Sequence, residues 1–318
     1  MRVCFFGTPE FAVPTLDALV EHGHEVVAVV AQPDRPSGRG QRKTTPPVAV
    51  RAKALGLDLR QPTALKSGPF LEWWAKQDID VAVVVAFGRI LPPAYIDGPR
   101  HGCINVHASL LPRYRGAAPI QWCLIKGEEE TGCVTMRLED GLDTGPLYLT
   151  KRTPVAPDET AAELFHRLAP LGAELLIETL ERLPHLEPER QDDELATFAP
   201  PLHKDDGRID WTRPAKQVHD LVRGTNPWPG AFTSFRGDRL KIHRTRIVEG
   251  DGEPGRFLDG PVVATGDGAV ELVEVQLPGK KRQPGRDLVN GARISSGERL
   301  GQILQEVTAE PSSEESIP

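Results

Sequence analysis

The sequence predicts an α/β fold, in which an open, mostly parallel sheet precedes a small OB-like β-barrel domain. Three observations indicate this arrangement. The 318 residues are about twice the length of a common single domain, so two cores are expected. Apolar strand-like runs alternate with helical segments through the first part of the chain. Short strand-like runs separated by Gly, Asp and Pro then occupy the last part.

The first elements form a βαβ unit. Residues 2–6 and 25–31 are short β-branched or aromatic runs, and Val13, Leu16 and Val20 lie between them at helical spacing. Further strands are predicted at 81–86, 103–106 and 134–138, and further helices at 47–55, at 71–76 and along Leu164, Leu168, Leu171 and Leu175. Because strands and helices alternate, we expect a mostly parallel sheet with helices on both of its faces.

The composition changes after Leu183, where charged and proline-rich residues replace the apolar periodicity. We therefore predict a sheet domain at 1–188, a linker at 189–208, a barrel domain at 209–307 and a disordered acidic tail at 308–318. In the barrel domain, a helix near Val218 precedes strands at 231–235, 240–247, 255–258, 262–265 and 269–275. Five such strands are compatible with an OB-type barrel, which often holds nucleic acids.

Composition and charge exclude several classes of protein. Hydrophobic residues at 39% and charged residues at 26% exclude global disorder, and no apolar stretch reaches the roughly 20 residues of a membrane span. Four cysteines without CxxC spacing indicate free thiols in a reducing cytoplasm. The net charge of -7 argues against a uniformly basic nucleic-acid binder. However, residues 1–208 hold 23 basic against 29 acidic residues, whereas residues 209–307 hold 15 against 13.

The first turn of the βαβ unit argues against a nicotinamide dehydrogenase. It reads GTPE at residues 7–10, so it lacks the three glycines that bring backbone amides to a pyrophosphate. The histidines show no ligand spacing with cysteines or carboxylates, and we therefore predict no metal.

Three polar residues form the candidate catalytic site. Asn105 and His107 are two apart on a predicted strand, so their side chains project from one face, toward the crevice in which open α/β sheets bind ligands. Asp143 lies in a glycine-flanked turn. An amide and a protonated imidazole can stabilise an oxyanion while the carboxylate orients the imidazole, which suits acyl transfer to an amine. Spacing alone leaves a core histidine and a turn aspartate open as the alternative.

The residues around this site resemble a known family. Residues 105–120 read NVHASLLPRYRGAAPI and residues 141–145 read GLDTG, and together they resemble the signature of folate-dependent formyltransferases. The similarity extends to GTPEF at 7–11, QPDRP at 32–36, GRG at 38–40 and NPWP at 226–229. The C-terminal domain and the basic loop resemble in particular the members that formylate charged initiator tRNA.

The resemblance implies a Rossmann-like sheet of the formyltransferase type and assigns roles to the matching residues. Asn105, His107 and Asp143 would be catalytic. The tetrahydrofolate carrier would contact Ser109, Leu110, Leu111 and Pro112, together with Phe87, Gly88, Ile90 and Leu91 in the loop after the central strand. Apolar side chains and free backbone groups suit a flat pteridine. Without the resemblance, ordinary core packing explains the apolar members of that loop.

Basic residues mark a candidate tRNA interface. The loop at 33–47 is long for a compact α/β unit and is rich in Arg and Lys. In the barrel domain, Arg239, Lys241 and His243 alternate with apolar residues, which places them on one strand face. We predict tRNA contacts by Arg39, Arg42, Lys43, Lys241, Lys280 and Lys281. A solvated loop and a solvated charged face are the alternatives.

The predicted function is transfer of the formyl group of 10-formyltetrahydrofolate to the α-amino group of methionine esterified to initiator tRNA, for translation initiation. The predicted partners are the charged tRNA and the folate co-substrate, without a membrane, for a monomeric cytoplasmic enzyme. A sugar-nucleotide formyltransferase, which shares the first domain, is the alternative enzyme. A non-catalytic RNA-binding protein is the third interpretation, and the complete Asn105, His107 and Asp143 set argues against it.

Overall fold

The computed structural model describes residues 1–37 and 42–301 of the chain. The chain divides into two compact units between Leu202 and His203, within the predicted linker. Arg39 and the predicted tail at 308–318 lie outside the described residues. In the part of the chain that the structure describes, no helix is long and apolar enough to cross a membrane.

The first unit alternates strands and helices. Its strands are β1 (Arg2–Gly7), β2 (Glu25–Val30), β3 (Arg35–Ser37), β4 (Arg42–Thr44), β5 (Leu59–Arg60), β6 (Val81–Val85), β7 (Cys103–His107), β8 (Glu130–Arg137) and β9 (Leu147–Pro154). Its helices are α1 (Val13–Glu21), α2 (Pro47–Ala54), α3 (Pro69–Trp74), α4 (Pro93–Ile96), α5 (Pro119–Ile125) and α6 (Ala161–Arg182). Every strand and helix predicted for this region is therefore present within a few residues of its expected position.

Seven strands form one sheet in the order β5-β2-β1-β6-β7-β8-β9. The first five in this order are parallel, whereas β8 runs antiparallel to β7 and β9 antiparallel to β8. The predicted open, mostly parallel sheet is thus confirmed. After β1 the chain adds β2 on one side of β1, and it later adds β6 on the other side of β1. This reversal of strand order leaves a crevice at the carboxyl ends of the strands, where such sheets bind ligands.

Side chains are buried on both faces of this sheet. In β1, Phe5 packs with residues of α1, α2, α5 and α6, whereas Phe6 points the other way and packs against Trp74 of α3 and Tyr95 of α4. Helices therefore cover both faces, as predicted. The four cysteines are free and buried, and burial raises the pKa of the Cys133 thiol to about 12. Cys133 consequently stays protonated and packs as a small apolar side chain.

Helix α6 holds β7 in place. Thr160 caps the helix by accepting a hydrogen bond from the Glu163 backbone N–H, and the Glu163 carboxylate accepts one from the Thr160 backbone in return. A Cβ atom at Gly172 would lie only 2.9 Å from Cγ1 of Val106 in β7. The close approach of helix and strand therefore requires a glycine, and it fixes the strand that ends at His107.

The second unit is built on an antiparallel sheet that curls into a half-barrel, in agreement with the predicted small barrel. Its elements are α7 (Ala215–Thr225), β10 (Ala231–Phe235), β11 (Asp238–Val248), β12 (Val262–Ala264), β13 (Ala269–Gln276), β14 (Gln283–Pro284) and α8 (Gly285–Ala292). The strand order is β10-β11-β13-β12, and β14 pairs with β13. Val218 and Val222 of α7 and Leu288 of α8 close the apolar core of this unit.

The prediction of a strand at residues 255–258 is wrong. Arg256 pairs with Arg299 and Phe257 with Val263, but each pairing is an isolated bridge. Gly255 takes a φ of 84°, and the backbone groups that follow divide their hydrogen bonds between β12 and residues near 298. Because neither side offers a continuous ladder, the segment forms only these two bridges and no strand. The short strand β14 instead completes the sheet.

His243 does not join the exposed basic face of β11 that its alternation with Lys241 predicts. A bulge interrupts the pairing of β11 with β13 between Ile242 and Arg244. Ile242 and His243 are therefore both buried, and Nε2 of His243 lies 3.0 Å from Oε1 of Gln276. One extra residue in a strand reverses the faces of all later side chains, which explains the error.

Burial of His243 makes the stability of the protein sensitive to pH. Burial lowers the pKa of the imidazole below its ordinary 6.5, so the unfolded chain binds this proton more readily than the folded chain. The neutral imidazole therefore makes its full contribution to the free energy of unfolding above about pH 6.5. This contribution is lost as the pH falls toward the pKa of His243 in the folded protein. We expect the free energy of unfolding, measured by urea titration, to fall less between about pH 7.5 and about pH 5.5 in His243→Gln than in the wild type. Exposed His185→Gln serves as the control, and equal slopes in all three proteins would contradict this account.

Candidate active site

Two of the predicted catalytic residues lie at the carboxyl end of β7. Asn105 and His107 are 8% and 6% exposed, and β7 runs between β6 and β8. The strand ends at His107, so both side chains lie at the edge of the sheet toward which β1, β2 and β6 also point their carboxyl ends. The structure thus places an amide and an imidazole at the ligand-binding edge of the sheet.

The imidazole of His107 has a defined orientation. Its Nε2 lies 3.0 Å from the carbonyl oxygen of Tyr114, and since a carbonyl oxygen only accepts, Nε2 donates this hydrogen bond. The other ring nitrogen, Nδ1, lies 3.7 Å from Oδ2 of Asp143. This separation exceeds an ordinary hydrogen bond. Nδ1 is therefore the ring nitrogen that remains available to a ligand.

The carboxylate of Asp143 is fixed by the backbone around it. Asp143 has a φ of 53°, a left-handed conformation that Asp tolerates better than most residues. Its Oδ2 accepts a hydrogen bond of 2.8 Å from the backbone N–H of Gly116. Gly116 itself has a φ of 124°, and a Cβ atom there would lie 2.7 Å from the carbonyl oxygen of Ala199. A glycine is therefore needed at the position that presents its N–H to the Asp143 carboxylate.

The amide of Asn105 is not engaged by the described residues. Among them, no side-chain or backbone group forms a hydrogen bond with this amide, although the residue is almost completely buried. Asn105 has no fully buried polar atom that lacks a partner, so its amide is accessible from the crevice. The amide is therefore free to donate a hydrogen bond to a ligand there. The sheet therefore brings together a free amide, a directed imidazole nitrogen and an anchored carboxylate.

Comparison with known proteins identifies the family. A family model described as formyl transferase matches residues 1–180, and one described as formyl transferase, C-terminal domain, matches residues 201–293. The methionyl-tRNA formyltransferase of Citrifermentans bemidjiense is 50% identical over 308 residues, which are 95% of this chain and 97% of that protein. The chain belongs to the formyltransferase family. The resemblance seen in the NVHASLLPRYRGAAPI and GLDTG segments is thereby confirmed.

Solved structures of related enzymes share the fold of this formyltransferase. A methionyl-tRNA formyltransferase from Clostridium thermocellum covers 79% of this chain and 95% of its own, with a TM-score of 0.54 at 16% identity. An N-formyltransferase from Helicobacter canadensis, in complex with folinic acid and dTDP-3-aminofucose, covers 87% of this chain and 99% of its own, with a TM-score of 0.65 at 16% identity. At such identities the likeness establishes the architecture alone.

The residues predicted to contact folate after β7 surround the end of that strand. Ser109 is buried, and its hydroxyl donates a hydrogen bond of 2.7 Å to the carbonyl of Arg113. Leu111 packs against Val134 and Met136 of β8, whereas Leu110 and Pro112 are half-buried. Only the two half-buried residues therefore offer substantial side-chain surface to a ligand.

The predicted folate residues after β6 divide into two kinds. Phe87 and Leu91 lie in the core, where Phe87 packs edge-on against Phe6 at 5.4 Å between ring centroids. Gly88 is exposed, and Ile90 is 93% exposed. The carbonyl of Phe87 accepts hydrogen bonds from Thr8 and Gln32, which fixes the loop to the ends of β1 and β2. Ile90 and Gly88 therefore form the accessible part of this loop.

The predicted tRNA residues that the structure describes lie on the surface. Lys43 is exposed in the first unit, while nothing is described for the side chain of Arg42. In the second unit, Lys241, Lys280 and Lys281 are all exposed. Next to Lys241, the guanidinium of Arg239 lies 3.4 Å from the ring centroid of Phe232. This stacking holds one cation of the face in a fixed position.

The described residues contain no group of three or more His, Cys, Asp or Glu side chains that could hold a metal ion. Sequence reasoning did miss the contribution of residues 189–200, which it assigned largely to a linker. These residues contact both loops that surround His107 and Asp143. Their polar composition gave no periodic signal, so only the contacts in the fold could identify them.

Proposed function

We propose that this formyltransferase transfers the formyl group of 10-formyltetrahydrofolate to the α-amino group of methionine esterified to initiator tRNA. The observation that carries the proposal is the free Asn105 amide two residues before His107 on β7, with Nδ1 of His107 3.7 Å from the anchored Asp143 carboxylate. The 50% identity to a methionyl-tRNA formyltransferase over 95% of the chain supports the choice of acceptor.

The donor would bind along the carboxyl edge of the sheet. The exposed Gly88 and Ile90 after β6, and the half-buried Leu110 and Pro112 after β7, would contact the carrier. Phe87, Leu91, Ser109 and Leu111 would support these contacts from the core. The related Helicobacter enzyme, which was solved with folinic acid, supports a folate at a fold of this kind. The formyl carbon would then lie between Asn105 and His107.

The chemistry is an acyl transfer without a protein nucleophile. The neutral α-amine attacks the formyl carbon, so a new C–N bond forms and the formyl oxygen becomes an oxyanion. The Asn105 amide and a protonated Nδ1 of His107 donate hydrogen bonds to this oxyanion. Asp143 accepts the proton that the amine loses. The oxyanion then re-forms the carbonyl as the C–N bond to the carrier breaks, and the carrier nitrogen takes up the proton that Asp143 had accepted. Holding both substrates in one crevice removes the entropic cost of their encounter.

The acceptor would be held mainly through its phosphates. Lys43 in the first unit and Lys241, Lys280 and Lys281 in the second are exposed cations, and we assign Arg39 and Arg42 to the same role from the sequence. Such contacts predict that affinity for tRNA falls as salt rises. We further infer a monomer that works in the cytoplasm, where charged tRNA is used.

The acceptor can be tested by competition. The protein is given 10-formyltetrahydrofolate with charged initiator tRNA and a dTDP-linked amino sugar at equal concentration. We expect kcat/KM for the tRNA to exceed that for the sugar by at least about 100-fold, because the single diphosphate of the sugar nucleotide can use only a few of the cationic contacts. Uncharged tRNA, which lacks the reactive amine, is the control. Preference for the sugar would identify a sugar-nucleotide formyltransferase. Absence of transfer to either acceptor would favour the interpretation as a non-catalytic RNA-binding protein.

A further inference from the structure

The segment of residues 189–200 lies between the two regions that the family models match, which end at 180 and begin again at 201. It begins with a backbone pairing of Glu189 and Leu147, in which each N–H donates to the other's carbonyl at 2.8 and 2.7 Å. It therefore starts beside the loop that holds Asp143.

Gln191 connects this segment to the loop of Asp143. Its Nε2 donates hydrogen bonds to the carbonyls of Asp143 at 2.8 Å and Gly145 at 2.7 Å. Its Oε1 accepts two hydrogen bonds from the buried guanidinium of Arg115, at 3.1 and 2.8 Å. All four hydrogen-bonding positions of the amide are thus used. Arg115 in turn precedes Gly116, whose N–H binds the Asp143 carboxylate.

The other end of the segment fixes the loop that orients His107. The Tyr114 N–H donates to the hydroxyl oxygen of Thr197 at 2.9 Å, and the Tyr114 carbonyl is the group that accepts from His107. The Arg115 N–H donates to the carbonyl of Thr197, and the Ala199 N–H donates to the carbonyl of Arg115. The segment therefore touches both catalytic loops without contributing a side chain to the reacting atoms.

We propose that Gln191 is a positioning residue for catalysis, which acts by holding the backbone of Asp143 in its left-handed conformation. The inference rests on the proposed function, since it concerns the same site. Only an amide of this length can donate to two carbonyls and accept from a guanidinium at once. Displacement of a catalytic group by about 1 Å can lower a rate by about 100-fold, so loss of this anchor reduces turnover rather than binding.

Two variants separate positioning from folding. Gln191→Glu keeps the shape of the side chain but places a carboxylate oxygen, which cannot donate, against the carbonyls of Asp143 and Gly145. Gln191→Met keeps the volume of the side chain but removes all of its hydrogen bonds. We expect Gln191→Glu to lower kcat for tRNA formylation by about 100-fold and Gln191→Met by about 10-fold or more, with KM for both substrates changed by less than about 3-fold. Gln77→Glu, which also removes an amide donor from a backbone carbonyl, is the matched control and keeps wild-type kcat.

A double-mutant cycle decides whether Gln191 acts through Asp143. In an Asp143→Asn background, we expect Gln191→Met to lower kcat by less than about 3-fold further, because the group that it positions has already lost its charge. Multiplicative losses, unchanged kcat in both single variants, or failure of both to fold would each overturn the inference. If the wild type itself does not formylate tRNA, the proposed function fails instead, so the two outcomes are distinguishable.

Discussion

Replacing His107 with glutamine is expected to lower kcat for formyl transfer by about 1,000-fold, with little change in KM for either substrate. Glutamine places its amide nitrogen near the position of Nε2, so it can still donate to the carbonyl of Tyr114. It leaves no donor at the position of Nδ1, which faces the Asp143 carboxylate in this structure and is the ring nitrogen that we assign to the substrate. His107→Asn has the opposite geometry, because its amide nitrogen lies near the position of Nδ1, and we expect it to retain more activity than His107→Gln.

Single-turnover rates with both substrates bound provide the measurement for these variants. The exposed His166→Gln on α6 is the control for the loss of an imidazole, and its rate should equal that of the wild type. If His107→Gln remains within about 3-fold of the wild type, His107 has no catalytic role. If His107→Asn is the slower of the two, Nε2 rather than Nδ1 acts on the substrate.

Replacing Asp143 with asparagine is expected to lower kcat by about 1,000-fold while preserving the fold. Asparagine tolerates the left-handed φ of 53°, and its oxygen can still accept the hydrogen bond from the Gly116 N–H. The variant therefore removes the charge and the proton acceptor but keeps the geometry. Steady-state kinetics together with the thermal unfolding midpoint give the comparison.

Asp140→Asn is the matched control, because Asp140 is an exposed acid in the same loop. We expect its kcat to equal that of the wild type. Equal effects of the two substitutions would mean that the charge of the loop, and not a specific carboxylate, matters. Wild-type turnover by Asp143→Asn would remove the carboxylate from the mechanism.

The sequence predicted the sheet domain well because its signals are local. The apolar run of β6 and the alternation of strands with helices depend on neighbouring residues, and they required a mostly parallel, doubly covered sheet. The spacing of Asn105 and His107 likewise placed both side chains at one strand end. Bringing Asp143 to them required the family resemblance, since nothing local predicts a contact across 36 residues.

The features that the sequence could not predict depend on distant contacts. The bulge that buries His243 arises from the pairing of β11 with β13, and alternation along β11 alone gives the wrong face. The partners of Gln191 lie 46 to 76 residues away, so its polar surroundings in the sequence resemble any linker. The loop after β6 is apolar except for Arg89, yet Phe87 lies in the core and Ile90 lies in solvent.

The most direct test of the account follows a labelled formyl group through one turnover. The wild type, and a variant with Asn105→Ala, His107→Gln and Asp143→Asn combined, are loaded with labelled 10-formyltetrahydrofolate and mixed with charged initiator tRNA. We expect the wild type to move the label to the α-amine, and the combined variant to be about as slow as the slowest single variant, since the three groups act on one transition state. Transfer by the combined variant at the wild-type rate, or no labelled tRNA from the wild type, would contradict the account.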